Sequence, residues 1–407
     1  MIHVPVCADS RKLLRNRYPF LDCYCVFIAL IVLFPYPNIY RNFFYVTLLL
    51  PLLLVLNRND YKRLAHSWII WTVFAYALTL SVSLIWNPPE ELGQSFALIR
   101  HIVIALSFVG MTAWLMAENP HYLHKLIRWF GWVVLLMAGI SLWKFYSINP
   151  LNERFVAGYW SNPNTGGTIF GLTVVAIASS TANAWANGSR NTTDIIIALV
   201  ACACVVLAGS RAALVAIIVS VLTCFAAARY WRPLAWSVVV GMILIALAFL
   251  FKKNELFENI VRLNSSGRLE LWLHYWQLAR ERLWTGHGIN NEFAYKYDLV
   301  RGPIVGVLDN PHNMLLSAVL YAGLPAAIAY IALILALLTC GLVDLRRSGT
   351  MVTVALSVYI IVHGLFEAVV PVHLADWQWI YFWMPIGIAA ATELNLNQSA
   401  RIADAGG

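Results

Sequence analysis

The sequence is poor in charged residues. Only 12% of its 407 residues are Asp, Glu, Lys or Arg, which is about half the share found in typical soluble domains. Hydrophobic residues make up 60% of the chain, and the mean hydropathy is +0.70. A soluble fold of this length needs a polar shell, and this chain cannot supply one. The composition therefore excludes an ordinary soluble protein and predicts a polytopic membrane protein.

Several catalytic motifs are also absent, and each absence argues against a class of chemistry. The sequence has no D-x-D pair on its predicted outer side, and no HExxH, GxxxxGK[ST] or GxSxG motif anywhere. These absences disfavour divalent-metal catalysis, nucleotide hydrolysis and serine-hydrolase chemistry. The seven cysteines lie in the N-terminal tail or inside apolar runs, so they predict neither a disulfide framework nor a zinc site. We expect no metal and no cofactor.

Long apolar runs are what the sequence does have. They are about 17–25 residues long and lack the alternation of barrel strands, so they predict membrane-spanning helices. We count twelve spans, at 20–36, 42–56, 66–86, 97–117, 127–147, 165–186, 194–209, 211–229, 234–251, 313–341, 351–370 and 376–393. The predicted fold is all-α, with nine spans in residues 1–251, a long loop at 252–312, three spans in 313–393 and a tail at 394–407.

The basic residues predict the orientation in the membrane. The net charge of +8 comes from scattered residues, which suits anionic lipid better than nucleic acid. Alternate loops hold most of them: Arg11, Lys12, Arg15, Arg17, Arg58, Lys62, Arg63, Lys125, Arg128, Arg190, Arg229, Arg232, Arg346, Arg347 and Arg401. The positive-inside rule then places both termini in the cytoplasm and the long loop on the outer side.

Two arginines on the predicted outer side are candidate anion ligands. Arg211 lies in the tight turn of "VLAGSRAALVAI" between two spans. It is either a snorkelling side chain or a phosphate ligand at a helix start. Arg268 opens an amphipathic helix in the long loop, and Arg280 lies further along it. The bland interpretation of each is an arginine that is solvated or bound to a lipid phosphate, the functional one is an anion ligand, and Arg280 is the weaker candidate. The apolar stripe of this helix is predicted to comprise Leu269, Trp272, Trp276, Ala279 and Leu283.

His312 lies in "LDNPHNMLL", where a long polar segment ends and an apolar helix begins. Histidine takes up and releases a proton near neutral pH, which suits a general base. Asn310 and Asn313 can orient its ring or bind a sugar hydroxyl. The alternative is an interfacial histidine that is hydrogen-bonded to a loop carbonyl, and both interpretations stay open.

Other polar residues share the predicted outer side. Asn162 and Asn164, in "WSNPNTGGT", form a turn and a helix cap, or they hold a sugar or pyrophosphate oxygen. Glu367, near the outer end of the eleventh span, is either a functional carboxylate or the structural partner of an arginine. Arg154 is a further cation on that side.

These motifs resemble the O-antigen ligase and polymerase superfamily. The resemblance covers most of the chain and rests on three short motifs: Ser210-Arg211 at a span start, Gly267-Arg268 followed by Trp272, and Pro311-His312-Asn313. The Asn-Pro-Asn of residues 162–164 and the twelve-span layout also fit.

The resemblance implies a GT-C-like enzyme at the periplasmic face of a Gram-negative inner membrane. It would transfer a polysaccharide from undecaprenyl diphosphate to a sugar hydroxyl of the lipid A–core, with inversion and without a metal. His312 would be the base, and Arg211 and Arg268 would grip the diphosphate. Position adds Arg154, Asn162, Asn164 and Glu367 as possible substrate ligands. The implied partners are this donor, this acceptor and membrane lipids, without nucleic acid.

Three alternatives remain at this stage. An O-antigen polymerase would use the same donor with a second lipid-linked glycan as acceptor, and its motifs are the same. A protein O-glycosyltransferase is a further enzyme class, although the small outer loops offer no large peptide-docking domain. A transporter or flippase would carry charged residues near the bilayer midplane and an internal repeat. Here the ionisable residues crowd the outer interface, which favours an enzyme.

Overall fold

The computed structural model describes residues 15, 18–86, 92–150, 153–160, 162–186, 188, 191–229, 268–291, 293, 295–298, 305–308, 310–367 and 375–405. Over these ranges the chain forms thirteen helices and one two-stranded sheet. The first six helices are α1 (Phe20–Leu33), α2 (Pro37–Val55), α3 (Arg58–Leu64), α4 (Trp68–Val82), α5 (Leu92–Glu118) and α6 (His121–Tyr146). The next seven are α7 (Pro163–Ala186), α8 (Thr192–Leu207), α9 (Arg211–Ala227), α10 (Arg268–Glu281), α11 (Met314–Ser348), α12 (Val352–Gly364) and α13 (Met384–Ala405).

Three features interrupt the regular α-helices. α2 contains a π-helical turn at Phe44–Leu49, and a second π-helical turn, Trp379–Trp383, leads into α13. In the long loop, β1 (Tyr295–Asp298) pairs antiparallel with β2 (Val305–Leu308), with Tyr295 opposite Leu308. The prediction of a polytopic helical protein is confirmed in this coarse form. The hairpin is an addition that the apolar pattern did not predict.

Eleven of the twelve predicted spans coincide with a described helix, and the ninth, 234–251, lies outside the described residues. By length and composition, five described segments can cross a membrane: Pro37–Val55, Ser95–Glu118, His121–Tyr146, Pro163–Trp185 and Met314–Ser348. Arg58–Leu64 together with Trp68–Val82, bent by 81°, would be a sixth. The helices α1, α8, α9 and α12 are apolar but shorter, at 10–17 residues. The total of twelve spans stays a prediction.

α7 is the most enclosed of the candidate spans. It packs against α6, α8, α9 and α12, and 83% of its most apolar window is buried, against 33% for α2. Its mean hydropathy is only 1.3, compared with 2.5 for α11. The physical reason is that its small and hydroxyl residues face other helices, where close approach and hydrogen bonds replace lipid contact.

The contacts define two ends of the bundle. At one end Arg15 pairs with Asp60 (3.2 Å) and Glu118 (2.7 Å), and Ser67 donates to Glu393 of α13 (2.6 Å). The start of α1 and the end of α7 also lie at that end. The starts of α7, α9 and α11 lie at the other. α7 has 24 residues, so the two ends are about 36 Å apart at 1.5 Å per residue.

α10 is fixed to the bundle by a break in α11. The helix turns at Gly323, whose φ is 74° and ψ is −170°. Leu324 donates its N–H to Leu283 (2.8 Å) instead of to its own helix, and Pro325 has no N–H to donate. The carbonyls of Leu320 and Tyr321 are therefore free, and they accept the N–H groups of residues 287 and 288, each at 2.8 Å. The segment after α10 thus docks into the break.

The face that α10 turns toward the bundle differs from the predicted stripe. Leu271, Tyr275 and Ala279 are buried against neighbouring elements, while Leu269 and Trp276 are 69% and 42% exposed. The helix itself is confirmed, but only Ala279 of this buried face belongs to the predicted stripe. Docking at the break in α11 sets the rotation of α10, and a local apolar pattern does not contain that constraint.

Substituting Gly323 tests this docking. A Cβ there would lie 2.2 Å from the carbonyl oxygen of Trp284, whereas Gly349, also left-handed at φ 73°, has nothing within 4 Å. In both Gly→Ala variants the left-handed backbone conformation becomes less favourable. Only Gly323→Ala also creates overpacking, which destabilises the folded protein by about 1–3 kcal/mol. Thermal unfolding in detergent, followed by tryptophan fluorescence, should give a lower Tm for Gly323→Ala than for Gly349→Ala. Equal values would contradict the close approach.

Candidate functional site

A single carboxylate joins four regions of the chain. Glu367 lies three residues past the end of α12 and is only 8% exposed. Its Oε2 forms an ion pair with Nη2 of Arg268, at the start of α10. Its Oε1 accepts a hydrogen bond from Nδ2 of Asn164 (2.8 Å) and lies 3.8 Å from Nδ1 of His312. Residues from α7, α10 and the segment before α11 therefore converge on the end of α12.

Asn164 links Glu367 to Arg154 through hydrogen bonds to both. Its Oδ1 accepts a hydrogen bond from Nη2 of Arg154 (2.9 Å), so both ends of the amide are engaged. Arg154 also donates from Nε (3.1 Å) and Nη2 (3.0 Å) to the carbonyl of Ala208, which follows α8. Desolvation and the charge of Arg211 lower the pKa of Arg154, while Glu367 raises it. Arg154 thus caps a helix end and adds positive charge to the site.

Arg211 is held by the packing of two helix starts. It is the first residue of α9, directly after the buried Ser210. Gly167 of α7 lies so close to Ser210 that an added Cβ would be 2.4 Å from the serine Cβ. This approach explains Gly167, whereas the neighbouring Gly166 lies against Ala157, with 3.0 Å from an added Cβ to the alanine Cβ. Arg211 is then close enough to Arg268 and Glu367 to interact with both charges.

His312 has an unusual backbone conformation. Its φ is 48°, in the left-handed region that non-glycine residues seldom adopt. Its N–H donates to Oδ1 of Asn310 (3.0 Å), and the carbonyl of Pro311 accepts from Nε1 of Trp272 (2.9 Å). Asn313 caps α11 by accepting the N–H of Leu316 at 3.0 Å. Contacts on both sides therefore fix where the ring points.

The imidazole of His312 retains hydrogen-bonding capacity. Its side chain is 21% exposed, and Nδ1 is buried without a hydrogen bond to any described group. The 3.8 Å to Glu367 is too long for a hydrogen bond but short enough for a strong charge interaction if the ring is protonated. The ring can therefore accept a proton beside a carboxylate that stabilises the resulting charge.

A buried polar layer beneath Asn164 is a feature that the sequence analysis missed. His363 is fully buried, and its Nε2 lies 2.9 Å from Oγ1 of Thr168. Thr168 donates to the carbonyl of Asn164 (2.8 Å) and accepts Tyr359 OH at its own carbonyl (2.8 Å). The signal was present, because a histidine four residues before Glu367 lies on the same side of a helix. This layer locks α7 to α12.

The remaining predicted residues have other surroundings. Asn162 is exposed, and its Oδ1 accepts the N–H of Asn164 (2.8 Å). This hydrogen bond is typical of a turn, which was one of the two interpretations of Asn162. Arg280 is exposed and lies twelve residues along α10 from Arg268, or about 18 Å at 1.5 Å per residue. Within the described ranges, neither contacts Glu367. Asn310 and Asn313 bond to backbone N–H groups near His312.

The charges of the site are unbalanced. Arg154, Arg211 and Arg268 carry three positive charges, and Glu367 carries one negative charge. Among these four described side chains the cations outnumber the acid, and in a partly buried, low-dielectric place such cations favour an anionic group more strongly than in water. In the part of the chain that is described, no three His, Cys, Asp or Glu side chains are grouped so that they could hold a metal ion. The arrangement is an anion site beside a titratable ring.

Residues 196–331 match the family model described as O-Antigen ligase. This segment belongs to the O-antigen ligase family. The match confirms the resemblance found in the motifs and indicates, in general terms, ligase- or polymerase-type activity on lipid-linked glycans. Arg211, Arg268 and His312 lie inside the O-antigen ligase segment, while Asn164 and Glu367 lie outside it. No curated protein is similar enough to the chain to be matched.

Gly167→Ala should disturb the site through packing alone. The added methyl would overlap the Cβ of Ser210, whereas Gly110 of α5 has nothing within 4 Å. We expect Gly167→Ala to destabilise the protein by about 1–3 kcal/mol and Gly110→Ala to have little effect. Thermal unfolding in detergent measures both. If the two variants unfold at the same temperature, the close approach of α7 and α9 is wrong.

Proposed function

We propose that this protein is an O-antigen ligase that transfers O-antigen polysaccharide from undecaprenyl diphosphate to a sugar hydroxyl of the lipid A–core. The reaction takes place at the periplasmic face of a Gram-negative inner membrane, proceeds with inversion and uses no metal. The twelve-span, GT-C-like layout with cytoplasmic termini is part of the same proposal. The observation that carries it is the convergence of His312, Arg268 and Asn164 on Glu367.

The three arginines of the site suit the leaving group of this reaction. When the bond between the sugar and the diphosphate breaks, negative charge grows on the diphosphate oxygens. Guanidinium groups bind such oxygens in a bidentate manner, and in a low-dielectric site they stabilise the charge more than water does. Arg211 and Arg268 are assigned this role. Arg154 donates to carbonyls, so it supports the site mainly through its charge.

The proton of the acceptor hydroxyl is taken up by His312. The hydroxyl oxygen attacks the anomeric carbon of the donor sugar from the face opposite the diphosphate, and its proton passes to the nitrogen of the His312 ring that carries no hydrogen. The bond between the anomeric carbon and the diphosphate oxygen breaks, and undecaprenyl diphosphate leaves. Glu367, 3.8 Å from Nδ1, stabilises the imidazolium until the proton is released to water. The products are one glycosidic bond and one free lipid diphosphate.

The position of the site in the bundle supports its assignment to the outer membrane surface. It lies at the end opposite Arg15 and Arg63, which belong to the loops predicted to be cytoplasmic. Sugar nucleotides are absent outside the cytoplasmic membrane. An outward-facing transferase therefore needs a lipid-linked donor, and such a donor brings a diphosphate to the membrane boundary.

Replacing His312 is the direct test. His312→Ala should lower transfer by about 10²–10⁴-fold, the usual contribution of a general base. The assay uses purified protein, undecaprenyl-diphosphate-linked glycan and lipid A–core as sole acceptor. His66→Ala is the matched control, because His66 is exposed and lies at the other end of the bundle. Unchanged transfer by His312→Ala would overturn the catalytic role. Wild-type protein that elongates only lipid-linked glycan would be a polymerase.

The arginines are tested by lysine replacements that keep the charge. Arg211→Lys and Arg268→Lys should each lower transfer at least about tenfold, because lysine cannot form the planar two-pronged bond to phosphate. Arg280→Lys is the control, since Arg280 lies on the same helix as Arg268 but is exposed and remote. Full activity in both variants would leave Arg211 and Arg268 with structural roles only.

A further inference from the structure

A second polar site lies at the end of the bundle opposite Glu367. A cavity of about 550 Å³ lies between the starts of α1, α6 and α8 and the end of α7. That volume is within the range of small-molecule and lipid-headgroup sites. Its wall includes Ser180 and Ala184 of α7, sixteen and twenty residues after Asn164. At 1.5 Å per residue, the cavity is therefore about 25–30 Å from the candidate active site.

The cavity wall carries charges of both signs. Lys125 and Arg128 lie one turn apart on α6, and Asp22 of α1 and Asp194 of α8 lie across from them. Asp22 and Lys125 both interact electrostatically with Cys25 in the wall, so they are near each other. A simple anion would meet two carboxylates here, and a simple cation would meet two basic groups. A ligand with both charges fits the wall better than either.

The surroundings of Asp194 indicate that the ligand carries an ammonium group. It is 9% exposed, and its Oδ1 has no hydrogen-bond partner among the described residues. Nε of Arg128 is 3.7 Å away, which is too long for a hydrogen bond, and the Arg128 side chain is 60% exposed. A buried carboxylate oxygen without a donor is costly, so a donor supplied by a ligand would be stabilising.

The apolar part of the wall indicates that this ligand also has a hydrophobic tail. Trp129 and Trp132 lie one turn beyond Lys125 and Arg128 on α6, and they are 43% and 48% exposed. α6 is one of the candidate membrane spans, and exposed tryptophans favour the headgroup level of a bilayer. The order along α6 is cations first and tryptophans deeper, as in a lipid that stands with its headgroup at the helix start.

We propose that this cavity binds one aminophospholipid. The lipid phosphate contacts Lys125 and Arg128, the primary ammonium donates to Asp194, and an acyl chain follows Trp129 and Trp132. A trimethylated headgroup has no N–H to donate, and a headgroup that has only hydroxyls can donate to Asp194 but lacks the positive charge of an ammonium. The proposal does not depend on glycosyl transfer, because the cavity is remote from His312.

The test is competitive lipid binding to the full chain. Delipidated protein in detergent receives equal amounts of phosphatidylethanolamine, phosphatidylcholine and phosphatidylglycerol, and native mass spectrometry counts the retained lipid. We expect wild-type protein to retain phosphatidylethanolamine at least about fivefold over either competitor. Asp194→Asn should remove the preference over phosphatidylcholine. Arg128→Gln should weaken retention of all three. Lys62→Gln, in a different basic patch, is the matched control and should behave as wild type.

A second measurement needs no substitution. Phosphatidylethanolamine, its monomethyl and dimethyl derivatives and phosphatidylcholine lose their N–H donors one at a time, so retention by wild-type protein should fall along the series. If retention does not fall along this series, the bound lipid is an ordinary annular lipid and the proposal is overturned. Equal retention by wild type and Arg128→Gln in the competition experiment would lead to the same conclusion. Preference for phosphatidylglycerol would overturn it in favour of a plain anion site. Whichever lipid is retained, glycosyl transfer by Asp194→Asn should stay near the wild-type rate.

Discussion

The buried carboxylate of Glu367 sets the geometry at its end of the bundle. A carboxylate that is 8% exposed at the end of an apolar helix is stable only when charged and hydrogen-bonding groups surround it. Arg268 and Asn164 supply the ion pair and the hydrogen bond, and His312 lies 3.8 Å away. Each comes from a different part of the chain, so satisfying one carboxylate fixes the relative positions of four elements. The same carboxylate interacts with Arg154 and Arg211, so three arginines gather around it.

Close helix packing makes this convergence possible. Gly167 lets α7 approach α9 at Ser210, and Gly171 lets it approach Tyr359 of α12, where an added Cβ would be 2.4 Å from the tyrosine oxygen. Hydrogen bonds among Thr168, His363 and Tyr359 then hold the pair. Small residues and interhelical hydrogen bonds are the usual means of association where lipid removes the hydrophobic driving force. The low mean hydropathy of α7 is therefore explained by its position between other helices.

The two ends of the bundle offer different chemistry, and α7 keeps them about 36 Å apart. At one end, within the described residues, three arginines interact with one acid, and that acid lies 3.8 Å from a histidine whose backbone has a left-handed conformation. At the other, two cations and two acids line a cavity bordered by tryptophans. The first arrangement suits a lipid-borne diphosphate, and the second suits a headgroup that carries both charges. On the two proposals, the protein interacts with lipid at both ends of the bundle through separate sites.

The sequence by itself determined the helical membrane class and the positions of most helices. Eleven predicted spans coincide with described helices, because the length and apolarity of a span are local properties that lipid enforces. The motifs also indicated the family and singled out Arg211, Arg268 and His312. Only the tertiary structure decided what each polar residue contacts. It assigns Asn162 and Asn313 to a turn and a cap, turns α10 onto Leu271 and Tyr275, and brings Glu367 to Arg268, 99 positions away. Such contacts depend on how helices pack against one another, and no local pattern carries that information.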